Sequence, residues 1–284
     1  MDKYLELSPR EKNLITCGMS DVIDIMDSKE GGHIHALTEM QYQDLKEYVC
    51  ATQEYERLCG GYLNDEDIVA LIKKKNWTNI LRTMYSKLTT ASADTFPMLK
   101  IITHICDIHL RHKASILPDV VAKLSEASIV IKFWATIIEA LFCETDLLVN
   151  WGDTISYGPE KTNCKMDLRI LCNLETSNDI VSAEFGRTVK ESKYFQDKAK
   201  LIANGKAQLN NLIKATKDKS MAVALILIQG LQAEFYSLRL ACNGLYALEL
   251  MKKFDFPKKS SFLGDLQDLC GIGVLFLSIN KSNK

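Results

Sequence analysis

Hydrophobic positions along the chain change their period near residue 143. Up to about residue 125 they recur at three- and four-residue spacing, the mark of helices with one apolar face. Ser8-Pro9-Arg10-Glu11 predicts a helix start, with a capping serine, a proline at the first helical position and a glutamate three residues on. Thr38 opens a periodic segment through Tyr55, and Asn64 caps a segment over 65–75 whose acidic start suits the helix dipole. Segments 77–88 and 98–112 continue the pattern. Segment 126–143, EASIVIKFWATIIEALFC, is apolar on most sides and predicts a buried helix, with Ile129, Phe133, Ile137 and Leu141 at helical spacing.

After Cys143 the spacing turns to that of strands. Segments 146–151, 164–174 and 179–185 are short, β-prone or alternating. A long helix is predicted over 193–217. Three further strands follow over 222–231, 234–242 and 245–253. Asn243-Gly244 sits between the last two, and this pair is the strongest short-range hairpin signal because both turn positions take positive φ. A closing helix is predicted over 261–278. The expected fold class is α+β: a helical N-terminal region, 1–125, then a mixed β-sheet flanked by helices, 126–284.

Composition narrows the function classes. Net charge is −1, so no global field attracts nucleic acid or a membrane. The charge is nevertheless uneven. Residues 1–67 hold 15 acidic and 6 basic side chains, whereas 187–219 hold 9 basic and 3 acidic ones. The helix from Lys193 to Lys219 is therefore the expected contact with phosphates if nucleic acid is a partner. The 9 cysteines are scattered, without a CxxC pair, and the N-terminus lacks an apolar signal core. Both point to reduced thiols and an intracellular protein of the cytoplasm or nucleus. No stretch is long and apolar enough to predict a membrane span.

Two clusters could carry chemistry. His104, Cys106, His109 and His112 lie on one predicted helix, but the histidine spacings of five and three bring only His109 and His112 together. Two ligands do not close a tetrahedral metal site, so a polar helix end is the expected reading. The second cluster is acidic. Glu139 lies in the helix before the sheet, Asp167 in the second strand (Lys165-Met166-Asp167-Leu168), and Glu184 near the end of the third (Ser182-Ala183-Glu184-Phe185-Gly186). Carboxylates on neighbouring strands can hold Mg²⁺, which neutralises a scissile phosphate and activates a water near neutral pH.

This order of elements and these three acids resemble the core of the PD-(D/E)xK, or restriction-endonuclease-like, nuclease superfamily. Trp134, Trp151-Gly152-Asp153 and Asp167-Leu168-Arg169 also look similar to expanded families of uncharacterised fungal proteins. The resemblance implies a Mg²⁺-dependent nuclease core, with Glu139, Asp167 and Glu184 as catalytic carboxylates and Asp167 and Glu184 as metal ligands. The superfamily's lysine, two residues beyond the glutamate, is replaced by Gly186, and Arg187 would point to the opposite strand face. Lys198 or Lys200 on the following helix could reach back, as migrated lysines do in that superfamily. The alternative expectation is a non-catalytic interaction or nucleic-acid-binding protein on a degenerate nuclease fold.

Overall fold

The apolar run Ala222–Gln229 forms β5, and every one of its residues is buried. Such a strand must be covered on both faces, which fixes the layering of the molecule. The computed structural model describes residues 6–27, 29–49, 76–93, 95–156, 159–160, 162–172, 179–188, 190–242 and 244–257. Seven strands make one mixed sheet. They are β1 (Val22–Asp24), β2 (Leu148–Thr154), β3 (Met166–Leu171), β4 (Asp179–Gly186), β5, β6 (Gln232–Cys242) and β7 (Leu245–Asp255), in the order β1-β7-β6-β5-β4-β3-β2. Strands β2, β3 and β4 form an antiparallel meander. Helix Glu191–Thr216 then crosses over, so that β5 runs parallel to β4. Strands β5, β6 and β7 are antiparallel.

Among the helices, α1 spans Pro9–Met19, α2 Glu39–Val49, α3 Trp77–Leu88 and α4 Phe96–Arg111. The segment before the sheet comprises α5 (Glu126–Ile129), a π-helical turn (Val130–Trp134) and α6 (Ala135–Phe142). The crossover helix, Glu191–Thr216, is α7. One face of the sheet packs Ile226, Ile228, Leu168, Ala183 and Phe185 against Met84, Ile105, Phe133 and Ile137 from α3 to α6. The other packs Val223, Leu225, Leu227 and Leu238 against Leu201, Leu209 and Leu212 of α7 and Cys17 of α1. The alternation along β5 supplies both cores from one strand.

The predicted strands are all present, displaced by a few residues at their ends, and 164–174 and 179–185 are paired neighbours. Ser8 and Glu11 form the reciprocal capping box. Cys242 pairs with Leu245 and Gly244 has φ +82°, so the last hairpin turns where the sequence places it. Two differences stand out. The N-terminal region is not wholly helical: Val22–Asp24 adds a strand parallel to β7 at the sheet edge. The 126–143 segment is interrupted by the π turn, where the Trp134 indole N–H donates to the Gly230 carbonyl at 2.8 Å. The helices expected over 65–75 and 261–278, the end of the 38–55 segment and Asn243 lie outside the described residues.

Candidate functional site

The β3–β4 register brings the two strand carboxylates abreast. Leu168 faces Ala183 across the ladder, so Asp167 stands opposite Glu184. Leu168 and Ala183 pack into the core beneath α3 to α6, which leaves Asp167 and Glu184 on the α7 face. Asp167 Oδ2 accepts the Phe185 backbone N–H at 2.8 Å. Helix α7 supplies the cation: Lys200 Nζ lies 2.7 Å from Glu184 Oε1. One turn earlier, Lys193 Nζ is 2.7 Å from Asp197 Oδ1, and Asp197 Oδ2 accepts from Gln229 Nε2 at 3.0 Å.

That last contact sets the surroundings of Gly186. Gly186 is paired with Gln229 across β4 and β5. A Cβ built on Gly186 would lie 2.2 Å from Gln229 Oε1, well inside contact distance. The space a side chain at position 186 would need holds the Gln229 amide, and the amine that meets Glu184 comes from α7.

Burial dominates the electrostatics. Glu184 is 1% exposed, and desolvation pushes its pKa from 4.5 to about 7. The Lys200 ion pair opposes this rise, while Asp167 and Asp197 add to it. Desolvation also raises the Asp167 pKa, against the Phe185 N–H and the charges of Lys200 and Lys193. Glu126, at the start of α5, joins the same field. Its pKa is raised by burial and then by Asp167.

The remaining sequence candidates lie elsewhere. Glu139 is exposed and its carboxylate accepts the Trp151 indole N–H at 2.6 Å. Lys198 points away from the carboxylate pair: its amine is 2.5 Å from Asp24 Oδ2 on β1 and 4.9 Å from the centre of the Tyr236 ring. Other lysines of the basic helix are also engaged, Lys206 with Asp21 at 3.0 Å and Lys214 with Glu160. Among the described residues, no three His, Cys, Asp or Glu side chains come together as a metal site. His109 is buried and donates from Nε2 to the Pro257 carbonyl at 2.9 Å, tying α4 to the end of β7. Burial pushes the Cys106 thiol up to about 12, so it carries no thiolate at neutral pH.

Three participants escaped the sequence reading, Glu126, Asp197 and Gln229, and Lys193 entered it only as the start of the basic helix. Lys193, Asp197 and Lys200 follow one another at i, i+4 and i+7, a spacing that puts them on one helix face and could have signalled a charged row facing the sheet. Below that row the α7 interface stays polar. Gln208 Nε2 donates to Ser182 Oγ at 2.6 Å and Asp179 Oδ2 at 3.1 Å, and Asn204 Nδ2 donates to Ser182 Oγ at 3.2 Å. Asp179 is also ion-paired at 3.0 Å with Arg169, which is fully buried. These bonds fix the rotation of α7 on the sheet, and with it the direction of Lys200.

Together these observations define a mixed α+β protein in which a cross-strand carboxylate pair meets a lysine from a crossover helix. Comparison with known proteins adds no identity: no family model, no curated protein and no solved structure matches the chain. Among the described residues, no helix is long and apolar enough to cross a membrane.

Proposed function

We propose that the chain is a metal-dependent phosphodiesterase acting on nucleic acid, built on a restriction-endonuclease-like core with its lysine moved to the crossover helix. The observation that carries the reading is the meeting of Asp167, Glu184 and Lys200: two carboxylates abreast on adjacent strands, with an amine 2.7 Å from one of them. The element order supports it, since the resemblance implies a helix, a three-stranded meander, a helix and further strands.

The donor set suits Mg²⁺ or Mn²⁺. These ions take one or two carboxylates and keep several waters, so a pair suffices where a three-ligand cage would be needed for zinc. Asp167 and Glu184 would hold the ion. Bound there, it would lower the pKa of a coordinated water and neutralise charge on a phosphate oxygen. The protein's own part is to orient. Lys200 offsets the charge of Glu184 and presents an ammonium beside it. The Phe185 N–H holds Asp167 in position. The buried floor of Ser182, Asn204 and Gln208 keeps α7 in register.

The reading is tested by incubating the protein with single- and double-stranded DNA and RNA in Mg²⁺ or Mn²⁺. Cleavage that disappears in Asp167→Ala and Lys200→Ala supports it. Equal cleavage by wild type and both variants removes it.

One observation favours a second reading. Lys200 already offsets the charge of Glu184, and no third described His, Cys, Asp or Glu joins Asp167 and Glu184 as a metal site. A non-catalytic interaction protein that retains the fold needs no more than this. Absence of cleavage on every substrate would select it.

A further inference from the structure

The lysines of α7 make poor contacts for an extended polyanion, because Lys198, Lys200, Lys206 and Lys214 are all ion-paired within the chain. Two cations without an ion pair to a described residue, Arg187 and Lys190, lie at the head of the helix. A cleft of about 270 Å³ is lined by Glu126, Arg187, Thr188, Lys190 and Lys193. Arg187 and Lys190 face Glu126 there, beside Lys193, which is paired with Asp197. Arg187 and Lys190 are exposed, and neither is ion-paired with a described residue.

Two of the lining residues join this cleft to the carboxylate pair. Lys193 is bonded to Asp197 at 2.7 Å, and its charge is felt at Asp167. Glu126, in turn, carries a pKa raised by burial and by Asp167, and Arg187 follows Gly186 at the end of the strand that carries Glu184. The chain therefore presents a positive rim near the strand end that carries Glu184. Compact free anions are best held by enclosed donors, whereas exposed arginine and lysine on an open rim suit a phosphodiester that passes along the surface.

We infer that the cleft bounded by Arg187, Thr188, Lys190 and Lys193 is a phosphate subsite for a polynucleotide strand, holding a phosphate that flanks the one at the Asp167–Glu184 pair. The inference rests on the phosphodiesterase reading for its substrate class, but it concerns binding and is measured without cleavage.

The probe is a fluorescein-labelled single-stranded oligodeoxynucleotide, followed by anisotropy in EDTA over a range of salt. Each cation that contacts a phosphate contributes about −0.7 to the slope of log K against log salt for single strands. Arg187→Gln and Lys190→Gln should each make the slope shallower by about 0.7. Lys123→Gln, on an exposed lysine elsewhere, should leave it unchanged. Because Arg187 and Lys190 are exposed, circular dichroism of both variants should match wild type.

No binding by wild type, or equal slopes in wild type and both glutamine variants, would overturn the inference. Inorganic phosphate is the second probe. If the two substitutions abolish phosphate binding yet leave oligonucleotide binding untouched, the cleft serves a free anion and the polynucleotide inference fails. The two readings fail separately. Cleavage with unchanged slopes removes the subsite and keeps the phosphodiesterase. Shallower slopes in a protein that cleaves nothing keep the subsite and remove the catalysis.

Discussion

Replacing Glu184 with glutamine perturbs the most strongly shifted carboxylate of the candidate site. Its pKa stands at about 7 against an ordinary 4.5, raised first by burial. A carboxyl with a raised folded-state pKa holds its proton more tightly in the folded protein than in the unfolded chain. It therefore favours folding most below pH 4.5, and this contribution is lost as pH rises through 7. At about 1.4 kcal/mol per pKa unit, the loss amounts to roughly 3 kcal/mol across that window. Asp167, Asp197 and Lys200 surround the carboxyl in both proteins, so the comparison isolates Glu184 itself. Urea unfolding of wild type and Glu184→Gln, at half-unit steps from pH 4.5 to 8, isolates the effect. Wild-type stability should fall relative to the variant by about 3 kcal/mol, with the steepest change midway between the two pKa values, near about pH 6. Saturating Mn²⁺ should flatten the difference, because a bound cation favours the ionised carboxylate. Parallel pH profiles for the two proteins would refute the reasoning, since they would mean that Glu184 is not held protonated by its surroundings.

Other consequences follow from single contacts. Gly186→Ala should cost about 1–3 kcal/mol through its collision with Gln229, and Gln229→Ala in the same chain should recover much of that loss, as a double-mutant cycle in urea would show. Gly244→Val should destabilise by more than about 1 kcal/mol, because φ is +82° there and valine does not tolerate it; an unchanged Tm would contradict this. Lys198→Met should cost about 3–5 kcal/mol by leaving Asp24 buried without its cation. Lys200→Met should cost less, because burial has already raised the Glu184 pKa and its carboxyl can remain protonated.

The strands were legible because their alternation is strong and their turns carry Asn-Gly or polar breaks. The run over β5 announced a strand covered on both faces. Strand β1 was not legible: three residues between helices carry no periodicity, and their partner lies more than two hundred positions onward, in β7. The π turn was hidden for a different reason, since its cause is tertiary: an indole bonded to the Gly230 carbonyl. The carboxylate pair could be located from strand phase alone. The choice between Lys198 and Lys200 could not. Two residues apart on a helix point about 200° apart, so only the rotation of α7 decides which amine meets Glu184. That rotation is set by Leu201, Leu209 and Leu212 under the sheet and by the polar bonds of Asn204 and Gln208. Gln229 was invisible for a related reason, because its meaning comes from the β4–β5 register that places it over Gly186.

The central claim is that Asp167 and Glu184 form a site for a divalent cation. Thermal unfolding during titration with Mn²⁺ and Mg²⁺ tests it most directly, because a ligand bound only by the folded state raises Tm with concentration. The account predicts a Tm that climbs through the millimolar range in wild type and in Lys200→Ala. In Asp167→Ala and Glu184→Ala, Tm should not respond to either ion. A wild-type Tm that neither ion moves, or one that rises equally in all four proteins, would contradict it.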